Sequence, residues 1–503
     1  MPNTRNLLTV SVLLCTLALF LGCPPPPDVI PDDDDDDVPE EPARASAVWA
    51  RRAGGPTNDV ADAIALAPDG GSLVTGYFSS TAVFSASTQQ EVAWGSAGDN
   101  DIFIAKYDPD GAIAWVTAAG GSGTDEGLGI AVLSDGSFYA AGVYSLYATF
   151  GVRDPIQRTL LSAGLLDIFL ARFNADGSLR FATRAGGTKT DEANDVAALD
   201  NGRAFLTGYF TDQAVFGPRE ANETVLEATD AEDLFVAAYN ADGELDWAKR
   251  AGGTGTDVGM GIAAYPDGSS VAVGYLGGQF KNGQEKNLNR DAYIVRFDGL
   301  GDREWFRQIG GSGDAVAHDV AALPGGDCIV VGAFTGTLTF GQGESTQTTF
   351  NAGTTLDAFF ARFTSDGDLV WVKRATSALG EAQAYTVSAY DDDTFVAGGY
   401  LVRNVIFDPG EPSENELEAI EGQDLFAAKF DTDGGLITVA HGGGDGDDVI
   451  LGVAAGPDND FLAAGAFNDP ITLGLDSSSE IDRTTSGLWD ILVVQFAEEI
   501  IGP

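Results

Sequence analysis

Carboxylates are the abundant reactive side chains of this sequence, and they recur at fixed spacing. Asp101, Asp167, Asp233, Asp291, Asp357, Asp424 and Asp490 follow one another at steps of 66, 66, 58, 66, 67 and 66 residues. Each opens a short segment of the type DIFIAKY or DLFVAAY. A second set comprises Asp59, Asp125, Asp191, Asp257, Asp314, Glu381 and Asp447, with Asp314 one residue out of phase. These acids follow Gly-rich turns such as GGSGTD and precede Ala-rich runs. Carboxylates gathered at one mouth of a channel attract a cation. A carboxylate at a turn instead accepts hydrogen bonds from loop amides and has a structural role. A catalytic constellation is asymmetric, so an acid present in every copy reads as architecture. The Asp101 set is therefore expected to be structural. The Asp59 set is a candidate cation ring or a set of structural caps.

Composition narrows the alternatives. Lys and Arg total 27 against 76 Asp and Glu, a formal charge of −49, which repels phosphate backbones and excludes nucleic acid as a partner. The two histidines, His318 and His441, fall in different copies, and with three cysteines they leave little for a zinc site or a histidine triad. No Gly-x-Ser-x-Gly elbow or phosphate loop is visible. An enzyme built here would be a carboxylate-based glycoside hydrolase or lyase, yet no acid stands apart from the period to carry it. No catalytic residue is assigned. The turns at 108–111 and 431–434 lack the further ligands of a calcium loop, so calcium is only a weak candidate, within a calcium-dependent adhesion module, and no other cofactor is expected. The fourth copy is 8 residues shorter and reads GQFKNGQEKNLNR, where Lys281, Lys286 and Arg290 form a candidate partner loop.

The elements that position these residues follow from a repeat. WARRAGG at Trp49, WVTAAGG at Trp115, FATRAGG at Phe181, WAKRAGG at Trp247 and WFRQIGG at Trp305 keep the same phase as the Asp101 set. Worn copies start at Trp371 and Ile437, which makes seven. Each copy holds four strand-like runs, in the first VADAIAL, SLVTGYF, DIFIAKY and AIAWVTAA, bounded by Asp-Gly turns. Four-stranded antiparallel units repeated radially make a β-propeller. The Ala- and Gly-rich first strand belongs at the crowded axis, and the Trp-bearing fourth strand belongs outermost. The expected fold is all-β, a seven-bladed propeller. It is closed by pairing the N-terminal strand with the last blade, because the body opens on a fourth-type strand and ends on a third-type one.

The run D-[IL]-F-x-A-[KR]-[FY]-x-x-D-G-x-x-x-W, then Gly-Gly, an acid, an Ala-rich strand and G-[YF], resembles the seven-bladed propeller (SBBP-type) repeats of secreted bacterial proteins. The resemblance covers residues 47–496. It implies a fold and an extracytoplasmic location, but no common ligand or reaction. At the N-terminus, Arg5 precedes 15 apolar residues ending at Leu21, too short a stretch for a membrane span of about 20 residues. Leu19-Phe20-Leu21-Gly22-Cys23 resembles the bacterial lipoprotein signal, which implies cleavage before Cys23 and its lipidation. Residues 24–42 read PPPPDVIPDDDDDDVPEEP, a stiff and then self-repelling spacer.

The expected organisation is a signal over 1–22, an acylated Cys23 with a disordered tether over 23–46, the propeller over 47–496 and a tail over 497–503. Cys328 is expected as a buried, inert thiol. These readings describe a non-enzymatic binding or scaffold propeller, monomeric and lipid-anchored in a bacterial cell envelope, at the outer membrane or cell surface. Its partner would be a protein or a polysaccharide. A charge of −49 also predicts salt dependence. Screening lengths shrink from about 30 Å at 0.01 M salt to about 8 Å at 0.15 M. The melting temperature should rise over that range, with calcium and magnesium chlorides outperforming sodium chloride at equal ionic strength. Flat curves in all three salts would refute the self-repulsion argument.

Overall fold

The computed structural model describes residues 43–85, 91–277, 280–281, 284–285, 289–390 and 394–498. The expected signal, Cys23, the spacer through residue 42, Lys286 and the last five residues lie outside these. Among the described residues the chain is all-β apart from one short 3-10 turn, Pro457–Asn459. No helix among them is long and apolar enough to cross a membrane.

One antiparallel pairing scheme repeats. In the first copy Asp59–Leu66 pairs with Ser72–Ser85, that strand with Glu91–Tyr107, and that with Ile113–Ala119. Asp125–Val132, Phe138–Phe150, Arg158–Phe173 and Leu179–Gly187 pair in the same order. So do the copies whose first strands begin at Asp191, Asp257, Ala315 and Glu381. The last copy supplies Asp448–Ala455, Phe461–Phe467 and Asp490–Glu498. Its fourth strand is the chain's own beginning, Ala43–Gly54, with Ala45 opposite Glu498 and Ala53 opposite Ile491. The ordered strand starts four residues earlier than the expected boundary at 47, because Ala43 and Arg44 also pair, in parallel, with Thr438 and Val439.

The first strands touch in succession, and Asp448–Ala455 returns to pack on Asp59–Leu66. That ring of inner strands makes the fold a β-propeller. Second and third strands of most copies run on into an arm beyond the four-stranded core, and the arm pairs with the preceding copy. Val215 and Ala214 lie opposite Gly186 and Gly187, and Thr339 and Leu338 opposite Gly310 and Gly311. These cross-links merge several copies into continuous 14-, 8- and 10-stranded sheets.

Apolar packing lies between neighbouring copies. Leu73, Ile102 and Ile104 of the first sheet pack with Phe138, Ala140 and Phe169 of the second. Each such aromatic or branched side chain contributes about 1.5–3 kcal/mol by leaving water. The outer Trp is also an inter-copy contact. Trp49 Nε1 donates to Pro109 O at 3.1 Å, and Arg51 Nε to Gly111 O at 2.6 Å. The Trp305 and Arg307 pair repeats this on Ser365 and Gly367. The indole covers the turn so closely that a Cβ on Gly111 would lie 2.6 Å from it. The Asp-Gly turns differ from the tight two-residue form. Gly111, at φ +74°, donates to Asp108 O, and Asp110 is not left-handed. This is a three-residue loop with a glycine bulge.

Candidate functional site

At four of the junctions between copies the two acidic sets meet inside the protein. Asp167, where the third strand passes from its arm into the four-stranded core, is fully buried and accepts from Ala163 N at 2.6 Å. Asp101 and Asp233 accept likewise from Ala97 N and Thr229 N. The residue 17 positions later faces the same carboxylate. Arg184, Arg250 and Arg374 reach Asp167, Asp233 and Asp357 at 3.3, 2.6 and 3.4 Å. Gln308 serves Asp291 and His441 serves Asp424. Asp490 takes Arg52 of the closing strand at 3.7 Å. In the first copy that position is Ala118, and burial pushes the Asp101 carboxyl up to about 6.

In the second set, Asp59, Asp125, Asp191 and Asp257 are also fully buried. Asp191 accepts from Gly187 N at 2.6 Å and from Thr211 N at 3.1 Å. The other three accept from the equivalent amides. Burial pushes Asp59, Asp125 and Asp191 up to about 7 against those bonds, and Asp490, Asp101 and Asp167 respectively push the same way. The first glycine of the Gly-Gly pair leaves room for this contact, and the second lies against a backbone carbonyl, Gly187 on Gln213 O. A Cβ on Gly186, at φ +137°, would meet Asp167 Oδ1 at 2.7 Å and Asp191 Oδ2 at 3.1 Å.

The remaining members sit one residue earlier than Asp59 does. By strand register the counterparts of Asp59 are Ala315, Ala382 and Asp448. Asp314 and Asp447 instead accept from Arg290 N and Gln423 N, ahead of the preceding copy's third strand. Glu381 is exposed. None of the set lines the cavity on the propeller axis. Among the described residues no group of three or more His, Cys, Asp or Glu is placed to hold a metal ion.

Of the basic loop, Arg290 is paired with Asp314 at 3.4 Å and lies over the Tyr275 ring. Lys281 belongs to a two-residue strand, Phe280–Lys281. Cys328 is buried, and burial pushes its thiol up to about 12.

The axis is lined by residues that do not recur. Every inner strand carries a bulge at one position: between Ala61 and Ala63, Gly127 and Gly129, Ala193 and Asp195, Gly259 and Gly261, Ala317 and Asp319, Ala384 and Thr386, and Ile450 and Gly452. The extra residue drops out of the ladder and is re-aimed. These residues are Asp62, Leu128, Asn194, Met260, His318, Tyr385 and Leu451, and all line one axial cavity of about 370 Å3. Here the copies differ almost completely.

Around the cavity, Asp195 accepts from Val196 N and from Ile262 N of the next copy, and Asp319 from Val320 N and Val387 N. Burial holds both carboxyls above the usual range. Asn194 Nδ2 donates to Gly259 O at 2.7 Å. His318 Nε2 lies 2.6 Å from Gln383 Nε2, and burial, then Arg290, lowers its pKa to about 3, so the ring is neutral. Asp62 Oδ2 is enclosed and has no hydrogen-bond partner. Burial, reinforced by Glu126, holds that carboxyl well above the usual range.

No family model matches the chain. An uncharacterised WD repeat-containing protein, L264, of Acanthamoeba polyphaga mimivirus is 20% identical over 444 residues, 74% of this chain and 32% of that protein. Regulatory protein FlaEY of Caulobacter vibrioides is 30% identical over 111 residues, 22% of this chain and 12% of that protein. The chain thus spans about a third of the first relative and about an eighth of the second. Among solved structures, Sqt1 from Chaetomium thermophilum superposes with a TM-score of 0.40 at 11% identity, covering 91% of this chain and all of that one. The Neurospora crassa Pan2 WD40 domain gives 0.25 at 9%, covering 55% and 86%. At these scores neither structure bears on function.

Proposed function

We propose that this chain is a seven-bladed propeller serving as a non-enzymatic binding or scaffold module, held by a lipid on Cys23 at the outer membrane or cell surface of a bacterial envelope. One observation carries the binding reading: the copies agree in their frame and diverge at the axis, where a cavity opens. Binding sites gather where a rigid scaffold presents variable positions. The seven sequence copies and the closed ring of inner strands support the blade count. Most of the repeated acids are engaged with backbone amides, arginines or turns, which disfavours a carboxylate enzyme. The lipoprotein-like segment before Cys23 supports the anchor.

The test uses two readouts. Cys23→Ser should move the protein from the membrane pellet to the soluble fraction without changing its melting temperature. Sedimentation of that variant with membranes would refute the anchor. Arrays of envelope polysaccharides and peptides, probed with the protein and with a cavity-filling Leu451→Trp variant, address the binding half. Capture that disappears on filling the cavity supports it. Turnover of a polysaccharide would place the chain among enzymes instead.

A further inference from the structure

We propose that the axial cavity binds an organic ammonium ion, its nitrogen held by Asp62 and its carbon body against Tyr385 and Met260. This rests on the reading of the chain as a binding propeller and names the ligand class. The lining contains Asp62, Glu192, Asp195 and Asp319 and, among the described residues, no lysine or arginine. Asp195 and Asp319 each hold two backbone amides. Glu192 accepts from Tyr209 Oη at 2.6 Å. Asp62 is different, because its enclosed Oδ2 has no partner. A buried acceptor left unmade costs about 1–3 kcal/mol, which a donor cation would relieve. The neighbouring Glu126 adds negative potential at the same place, and a bound ammonium offsets the burial and repulsion that hold the proton on Asp62, so that binding carries its ionisation.

The rest of the wall suits carbon better than a bare metal. Tyr385 lies edge-on to His318 at 5.0 Å, so that the two rings form an aromatic wall, with Tyr400 behind Tyr385 at 5.8 Å. The Met260 thioether and Leu128 complete it. A hard divalent cation needs several fixed oxygen ligands. An alkylammonium uses a carboxylate at one end and aromatic and thioether surface along its length. His318, being neutral, does not repel it. A cavity of about 370 Å3 is within the range of small-ligand sites, about 300–1,000 Å3.

The test is calorimetric titration of the full chain with butylammonium, cadaverine and tetramethylammonium chlorides, against sodium chloride at matched ionic strength. Saturable one-to-one binding is expected for at least one amine. Asp62→Asn should weaken it at least tenfold, and Tyr385→Leu severalfold. The melting temperature checks that both variants fold; Asp62→Asn removes an unpartnered carboxylate and should not lower it. Binding to the free amines alone identifies a small-molecule source. Tighter binding of a lysine-bearing peptide, with the same Asp62 dependence, identifies a partner's side chain. Heat no greater than that of sodium, or equal affinity in Asp62→Asn, overturns the proposal. If amines fail while array capture is still lost in Leu451→Trp, the ligand class is wrong and the binding reading stands.

Discussion

A protein lacking residues 43–54 is expected to lose its cooperative fold. That strand supplies the last copy's fourth strand, with pairs running from Ala45 opposite Glu498 to Ala53 opposite Ile491. It also buries Ala45, Ala47 and Ala50 against Leu492, Val494 and Phe496, and places Trp49, 7% exposed, in the next packing layer. Loss of a buried Trp alone costs about 3–5 kcal/mol. Whole-domain stability is about 5–15 kcal/mol. Removal of the strand also strips Arg52 from Asp490, leaving a buried carboxylate uncompensated, and opens an edge that invites aggregation. Thermal melting of the truncated chain should show no cooperative transition near the parent's. Restoration by a synthetic peptide of residues 43–54 would locate the defect in the missing strand. A truncated chain melting within about 3 °C of the parent would show that the ring does not depend on this closure.

The second large effect concerns pH. Asp59, Asp125 and Asp191 are pushed up to about 7 in the fold, chiefly by burial, and Asp101 and Asp167 to about 6. In the unfolded chain an aspartate titrates near about 4. Between those values the folded state binds more protons, so stability falls as pH rises. The contribution is complete below about pH 4 and is lost by the time pH passes about 7. Growing net negative charge acts in the same direction. The melting temperature should therefore drop by roughly 5 °C or more from pH 5 to pH 8 at constant ionic strength. Asp101→Asn should flatten part of the slope, since its amide oxygen can still accept from Ala97 N. A melting temperature that climbs from pH 5 to pH 8 would contradict the assignment.

Much of the frame was legible because it is periodic. The Asp101 column, the Trp49 column and the Asp-Gly turns fixed four strands per copy, and the order of strand types at the two ends pointed to closure. The start at Ala43 was not legible, since Ala43-Arg44-Ala45-Ser46 carries no strand signature of its own and is held by Thr438, Val439, Glu498 and Ala497. The role of the Gly-Gly pair was hidden too, because its first glycine answers to two side chains from different strands and its second to a carbonyl of the next copy's arm. The axis was illegible for a different reason: a repeat shows what recurs, and the cavity is built from what does not. One signal was present. Gly76, Gly208 and Gly274 interrupt second strands in the G-[YF] motif, and glycine inside a strand marks a bulge or a close backbone approach. A Cβ on Gly208 would fall 1.9 Å from Glu192 O, beside the bulge that turns Asn194 inward.

The bulge separates two kinds of change. A substitution in the ladder must suit its partners on both sides, whereas the bulged residue answers only to the axis and its neighbours there. Duplication of a copy can therefore preserve the frame while one letter drifts. The axis then reads as a short word, one letter per copy, spelled Asp62, Leu128, Asn194, Met260, His318, Tyr385, Leu451. Respelling one letter changes the chemistry of the cavity without renegotiating the ring, so a chain of this design can acquire a new ligand by drift at a single position.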